Sequence, residues 1–166
     1  FILLAGVAGL LAGAFSMAAG EYVSVSSQRD VYEHQIRIEA DKLREWPEEE
    51  MAEIARSFQD KGLTSDEAKI VAERLMTNPE LALDAKVRED LRLDPKNLGS
   101  PWGAATSSFV AFVIGAVVPI IPYIFSGTAT RALMTSAALS AMALALVGAV
   151  VAANSGRSMA WGGLRM

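Results

Sequence analysis

The feature that most constrains this chain is the segregation of its charge: long apolar stretches at both ends enclose a dense run of ionised side chains. Residues 1–25 carry one charge, Glu21, and residues 102–153 carry one, Arg131, whereas 18 of the 19 acids lie between Asp30 and Asp94. A helix needs about 20 predominantly apolar residues to cross roughly 30 Å of hydrocarbon. Segments 1–25, 102–125 and 132–153 meet that requirement. A single soluble globule would spread its apolar residues through the chain, so the pattern predicts an all-α, polytopic helical membrane protein with a water-exposed helical insert.

The first segment opens with Phe1, has no basic n-region and runs on into charged sequence, which excludes a secretory signal peptide. That opening, and the ending GRSMAWGGLRM with no closing element, predict a fragment at both ends. Residues 26–100 hold 12 basic against 18 acidic side chains. An acidic surface repels nucleic acid and attracts cations. The chain has no cysteine, so disulfides and thiolate metal sites are excluded.

The insert reads as helices throughout, without strand alternation or repeats. The first membrane helix is expected to continue without Gly or Pro from Tyr22 to about Trp46, where Pro47 stops it. Glu48–Lys61 reads as a second helix that Gly62 ends. Thr64 and Glu67 have capping-box spacing and open a third, which Asn78-Pro79 closes. A fourth covers about Glu80–Leu93, followed by the linker DPKNLGSP. Arg157 and Arg165 fall on the insert's side of the membrane and Arg131 opposite, which predicts a cytoplasmic insert.

Few residues are suited to handling an ion. Glu21 lies at or near membrane depth, where a carboxylate is costly and serves ion or proton work, unless it marks the helix end at the interface. Met17 is one turn earlier on the same face. A hard oxygen beside a soft thioether suits a borderline transition ion such as Fe(II) better than Mg or Ca. Pro119 and Pro122 in VVPIIPY remove donors and break the helix, either lining an ion path or merely kinking it for packing. Gly9 and Gly13 form a small-xxx-small pair suited to close helix packing. In the insert, Glu39 edges the apolar stripe Tyr32/Ile36/Ala40/Leu43 and Asp90 falls within the stripe Leu83/Val87/Leu91, so both are expected to face inward. Glu50 flanks Met51/Ile54/Phe58, while Glu53 points further round, toward solvent or another subunit. His34 has no second histidine at ligand spacing and reads as a surface residue. No nucleophile motif, phosphate loop or dinucleotide fingerprint is present, so neither an enzyme nor an organic cofactor is expected.

The string SMAAGEYVSVSSQRD at 16–30 closely resembles the signature at the end of the second transmembrane helix of the vacuolar iron transporter family, and GAVVPIIPY at 115–123 resembles its third. GLTSDEAKIVAERLMTNPELALD and NLGSPWGAA are most similar to bacterial members, some of which carry a ferritin-like domain upstream. The resemblance implies a dimeric exchanger of divalent metal for protons with five membrane helices, here the second (1–27), third (101–126) and fourth (131–154). It further implies a cytoplasmic metal-binding domain over 28–100 and the start of the fifth helix over 155–166, with the first helix missing. Its implied cargo is Fe2+ or Mn2+, exported from the cytoplasm, and its implied location a bacterial inner membrane. Position by position, the family's domain ligands fall on Glu39, Glu50, Glu53 and, conservatively exchanged, Asp90, and its membrane methionine on Met17. Lys42 stands where plant members have another Glu, Lys86 and Val87 where they have methionines, and Gly9 where they have a membrane Glu, whose role Glu21 then takes. The competing reading is a membrane-anchored ferritin-like protein that oxidises or stores iron, but the Glu-x-x-His motif of a di-metal bundle is missing.

Overall fold

The computed structural model describes residues 1–156, 158, 161 and 163, and among these the chain forms helices and no strands. In order they are α1 (Ile2–Glu45), α2 (Pro47–Asp60), α3 (Ser65–Met76), α4 (Pro79–Asp90), α5 (Pro101–Phe125) and α6 (Ala129–Asn154). The expected fifth membrane helix, and the Arg157 and Arg165 charges used to orient the chain, lie largely or wholly outside the described residues.

Two compact units divide the chain. One holds Phe1–Tyr22 and everything from Trp102 onward, and the other holds Val23–Pro101. Helix α1 contributes to both. Its 44 residues measure roughly 66 Å at 1.5 Å per residue, about twice the thickness of the hydrocarbon, so only part of it can lie in lipid. Helices α1, α5 and α6 are each long and apolar enough to span a membrane.

In the apolar unit the helices approach through small residues. A Cβ on Gly13 would lie 2.2 Å from the Phe112 ring, whereas one on Gly9 would meet nothing within 4 Å. Of the expected glycine pair, then, Gly13 alone makes a close approach here. Phe15 and Phe109 meet edge to face with centroids 5.2 Å apart, and the Tyr22 and Trp102 rings are 5.0 Å apart. Helix α5 runs on as one helix through Pro119 and Pro122. The expected break is therefore a loss of donors and not an interruption, because proline's fixed φ is helical and only the carbonyls of Gly115 and Val118 lose their i+4 partners. The Ser136 hydroxyl on α6 donates to the Pro119 carbonyl at 2.8 Å, joining α5 to α6 at this point.

In the polar unit each helix boundary has a local cause. Pro47 occupies the first turn of α2, where its missing N–H costs nothing. After α2, Gly62 takes a φ of 100°, the Gly62 N–H donates to the Gln59 carbonyl and the Leu63 N–H to that of Phe58. This is a Schellman closure, which favours glycine at its left-handed position. Thr64 and Glu67 form the reciprocal capping box that opens α3, and Asn78 Oδ1 accepts from the Glu80 N–H at 2.9 Å to open α4. Ile54 of α2, Ala68 and Ala72 of α3, and Ala82 and Val87 of α4 are buried together as the core of a three-helix bundle. Fully burying an Ile or Val side chain contributes on the order of 1.5–3 kcal/mol. Tyr32, Ile36, Ala40 and Leu43 of α1 are half-buried, as their stripe predicts.

Candidate functional site

The polar unit draws three of its four expected ligands to one place, but their centre is an ammonium group. Lys86 is buried on α4, only 1% exposed, and its Nζ lies 2.7 Å from Glu50 Oε2 and 2.8 Å from Asp90 Oδ2, while also donating to Glu53 Oε2. Glu50 and Glu53 lie one turn apart on α2, and Asp90 lies one turn beyond Lys86 on α4. The lysine thus ties two helices together. Burial acts to lower the Lys86 pKa, but the close contacts with Asp90, Glu50 and Glu53 outweigh it and raise the pKa above the ordinary lysine value. The bond from Lys86 in turn lowers the pKa of Glu53.

Glu39 is buried, as its position on the stripe predicts. Its Oε1 accepts from Lys42 Nζ at 2.7 Å, a bond that raises the Lys42 pKa. Its Oε2 is buried without a hydrogen-bond partner, and Glu50 Oε2, despite its ion contact, has no aligned hydrogen bond either. Asp90 departs from expectation: its side chain is 40% exposed. Its carboxylate still reaches Lys86, but α4 ends at Asp90 and the chain turns away through Arg92, at a φ of 53°, so no further turn covers the side chain. Glu53 is 55% exposed, in keeping with its position further round α2, although its carboxylate returns to Lys86. Among the described residues, no group of three or more acids or histidines has an arrangement able to hold a metal ion. His34 is exposed.

The central lysine is the residue that sequence reasoning missed as a structural element. The signal was present: Leu83, Lys86, Val87 and Asp90 follow i, i+3, i+4, i+7 spacing, which places a lysine on the buried stripe of α4 opposite a helix with acids at i and i+3.

In the apolar unit, Met17 and Glu21 lie one turn apart on α1, Met17 46% exposed and Glu21 half-buried. Among the described residues every ion pair lies between Arg29 and Asp94, so Glu21 and Arg131 have none. Pro119 and Pro122 belong to the same unit, with Pro122 buried.

The VIT family model matches residues 1–166. The chain is 33% identical over 147 residues to Vacuolar iron transporter 1 of Oryza sativa subsp. japonica, covering 89% of this chain and 58% of the relative. It is 34% identical over 149 residues to Vacuolar iron transporter 2 of the same organism, covering 90% and 61%. To Vacuolar iron transporter of Acanthamoeba castellanii it is 33% identical over 165 residues, covering 99% and 62%. The chain thus spans about three fifths of the length of these curated relatives. A family match along the whole chain, on a fold with three helices able to span a membrane, makes this an integral membrane protein that belongs to the VIT family.

Proposed function

We propose that the protein carries divalent iron across a membrane, using Met17 and Glu21 of α1 as part of the ion path. The observation that carries this reading is the VIT family match over all 166 residues, joined by relatives named as iron transporters. Physical chemistry supports the choice of residues. Glu21 is a carboxylate without an ion pair on a helix apolar enough to span lipid, where an ionised group is expensive unless it serves a path. The Met17 thioether one turn away adds a soft donor, which favours Fe(II) over Ca.

A carboxylate must lose its proton to bind a metal, so an ion leaving Glu21 can be exchanged for a proton. In this reading the chain works as a homodimer in a bacterial inner membrane, exports Fe(II) or Mn(II) in exchange for protons, and holds residues 28–100 in the cytoplasm. The acidic unit concentrates cations there, with Glu39, Glu50, Glu53 and Asp90 among the sources of its field. Proteoliposomes containing the full-length protein and an internal Fe(II)-quenched dye test the reading. Quenching driven by an opposing proton gradient supports it. Equal rates with and without protein overturn it.

A further inference from the structure

The acidic cluster on α2 and α4 has the composition of a cation site, and its centre is filled by part of the chain. We infer that the Lys86 ammonium is a resident cation that takes the place of a metal among Glu50, Glu53 and Asp90, so that this part of the unit is a lysine-filled ion site. Three observations converge on this. Lys86 is 1% exposed and contacts three carboxylates from two helices, at 2.7 Å to Glu50 and 2.8 Å to Asp90, with Glu53 bonded as well. A buried ammonium is tolerated only where such partners surround it. Second, Glu39 Oε2 is buried without a hydrogen bond, so the carboxylates here have acceptor capacity beyond what the lysines use. Third, Glu39 is itself held by Lys42 at 2.7 Å, a second ammonium placed against a buried carboxylate.

An ammonium and a divalent ion cannot share the centre. A metal ligated by Glu50, Glu53 and Asp90 would meet the Nζ at contact distance, and like charges that close repel strongly. The unit therefore folds without metal, and its stability does not follow the metal supply. Replacing Lys86 with an uncharged residue of similar length frees three carboxylates that converge on its Nζ; they do not have a metal-holding arrangement with the lysine in place, but once freed they can draw in around a hard or borderline divalent ion. This inference does not depend on transport, because it concerns what the polar unit holds and is read by binding alone.

The test is Mn(II) titration of the purified full chain in detergent, followed by the electron paramagnetic resonance of free Mn(II). Wild type and Glu53→Gln/Asp90→Asn should bind the same number of ions with the same affinity. Lys86→Met should gain one ion at least tenfold tighter than any in wild type, and Lys86→Met/Asp90→Asn should lose it. If Lys86→Met does not fold in metal-free buffer, recovery of its helical circular dichroism with Mn(II) supports the inference, and failure to recover overturns it. A folded Lys86→Met that gains no ion also overturns it, as does a wild-type site lost in Glu53→Gln/Asp90→Asn.

Discussion

Lys86 and Glu50 meet at 2.7 Å across the α2–α4 interface, with side chains 1% and 7% exposed. A contact between charges so fully withdrawn from water cannot be dropped on one side alone. Removing one partner of a buried pair leaves the other unpaired and typically costs about 3–5 kcal/mol, whereas replacing both can be neutral. Lys86→Met should therefore lose about 3–5 kcal/mol of stability in the polar unit in metal-free buffer. The Lys86→Met/Glu50→Leu double variant should recover part of that loss, and thermal unfolding followed by circular dichroism checks both.

Acid should loosen the same cluster. The bond from Lys86 lowers the Glu53 pKa, so its stabilising effect is complete above the ordinary glutamate value and is lost as pH falls through the depressed one. For Lys86 the sign is opposite: its raised pKa makes its effect complete below the ordinary lysine value and lost only as pH rises through the folded one. The unfolding midpoint should hold steady from neutral to mildly alkaline pH and fall in acid below the ordinary glutamate value. Glu53→Gln should flatten the acid side of that profile.

Gly62 should tolerate no side chain without loss. At a φ of 100°, an alanine there is strained by roughly 1–2 kcal/mol, and Thr64→Ala, two residues on, removes a cap worth about 1 kcal/mol. The two are close in sequence but act on different helix ends, so urea unfolding should show their effects adding approximately.

These boundaries were legible in the sequence because each depends on its immediate neighbours: Pro47, Gly62, the Thr64/Glu67 box and Asn78-Pro79 all stand where the helices change. The three apolar spans were legible for the same reason, since length and composition are local. The burial of Glu39 also followed from helical periodicity. Asp90 reaches the buried Lys86 from the expected face but stays 40% exposed, because α4 ends there and no further turn covers it. Lys86 stands out in sequence as a departure from the family pattern, but its role depends on acids brought over from α2, a relationship between helices that periodicity along one of them does not contain. The donor loss at Pro119 and Pro122 is legible in the sequence, but proline's helical φ lets α5 run through both.

Gly13 should be intolerant of substitution where Gly9 is not. A Cβ at residue 13 meets the Phe112 ring at 2.2 Å, so Gly13→Val should destabilise the apolar unit by about 1–3 kcal/mol through overpacking. Gly9→Ala should be close to neutral. Phe112→Ala should relieve the Gly13→Val defect in part, and a double-mutant cycle read by thermal aggregation in detergent measures that coupling.

In the proposed function Glu21 lies on the path of a transported divalent ion. That placement is tested most directly by Fe(II) flux into proteoliposomes carrying equal amounts of folded full-length wild type or Glu21→Gln. Loss of nearly all protein-dependent flux, with an unchanged unfolding midpoint, is the predicted result. Met17→Leu should retain flux but lose preference for Fe(II) over Ca(II). Wild-type Fe(II) flux through Glu21→Gln would contradict the account and leave Glu21 as a carboxylate at the membrane interface with no part in the path.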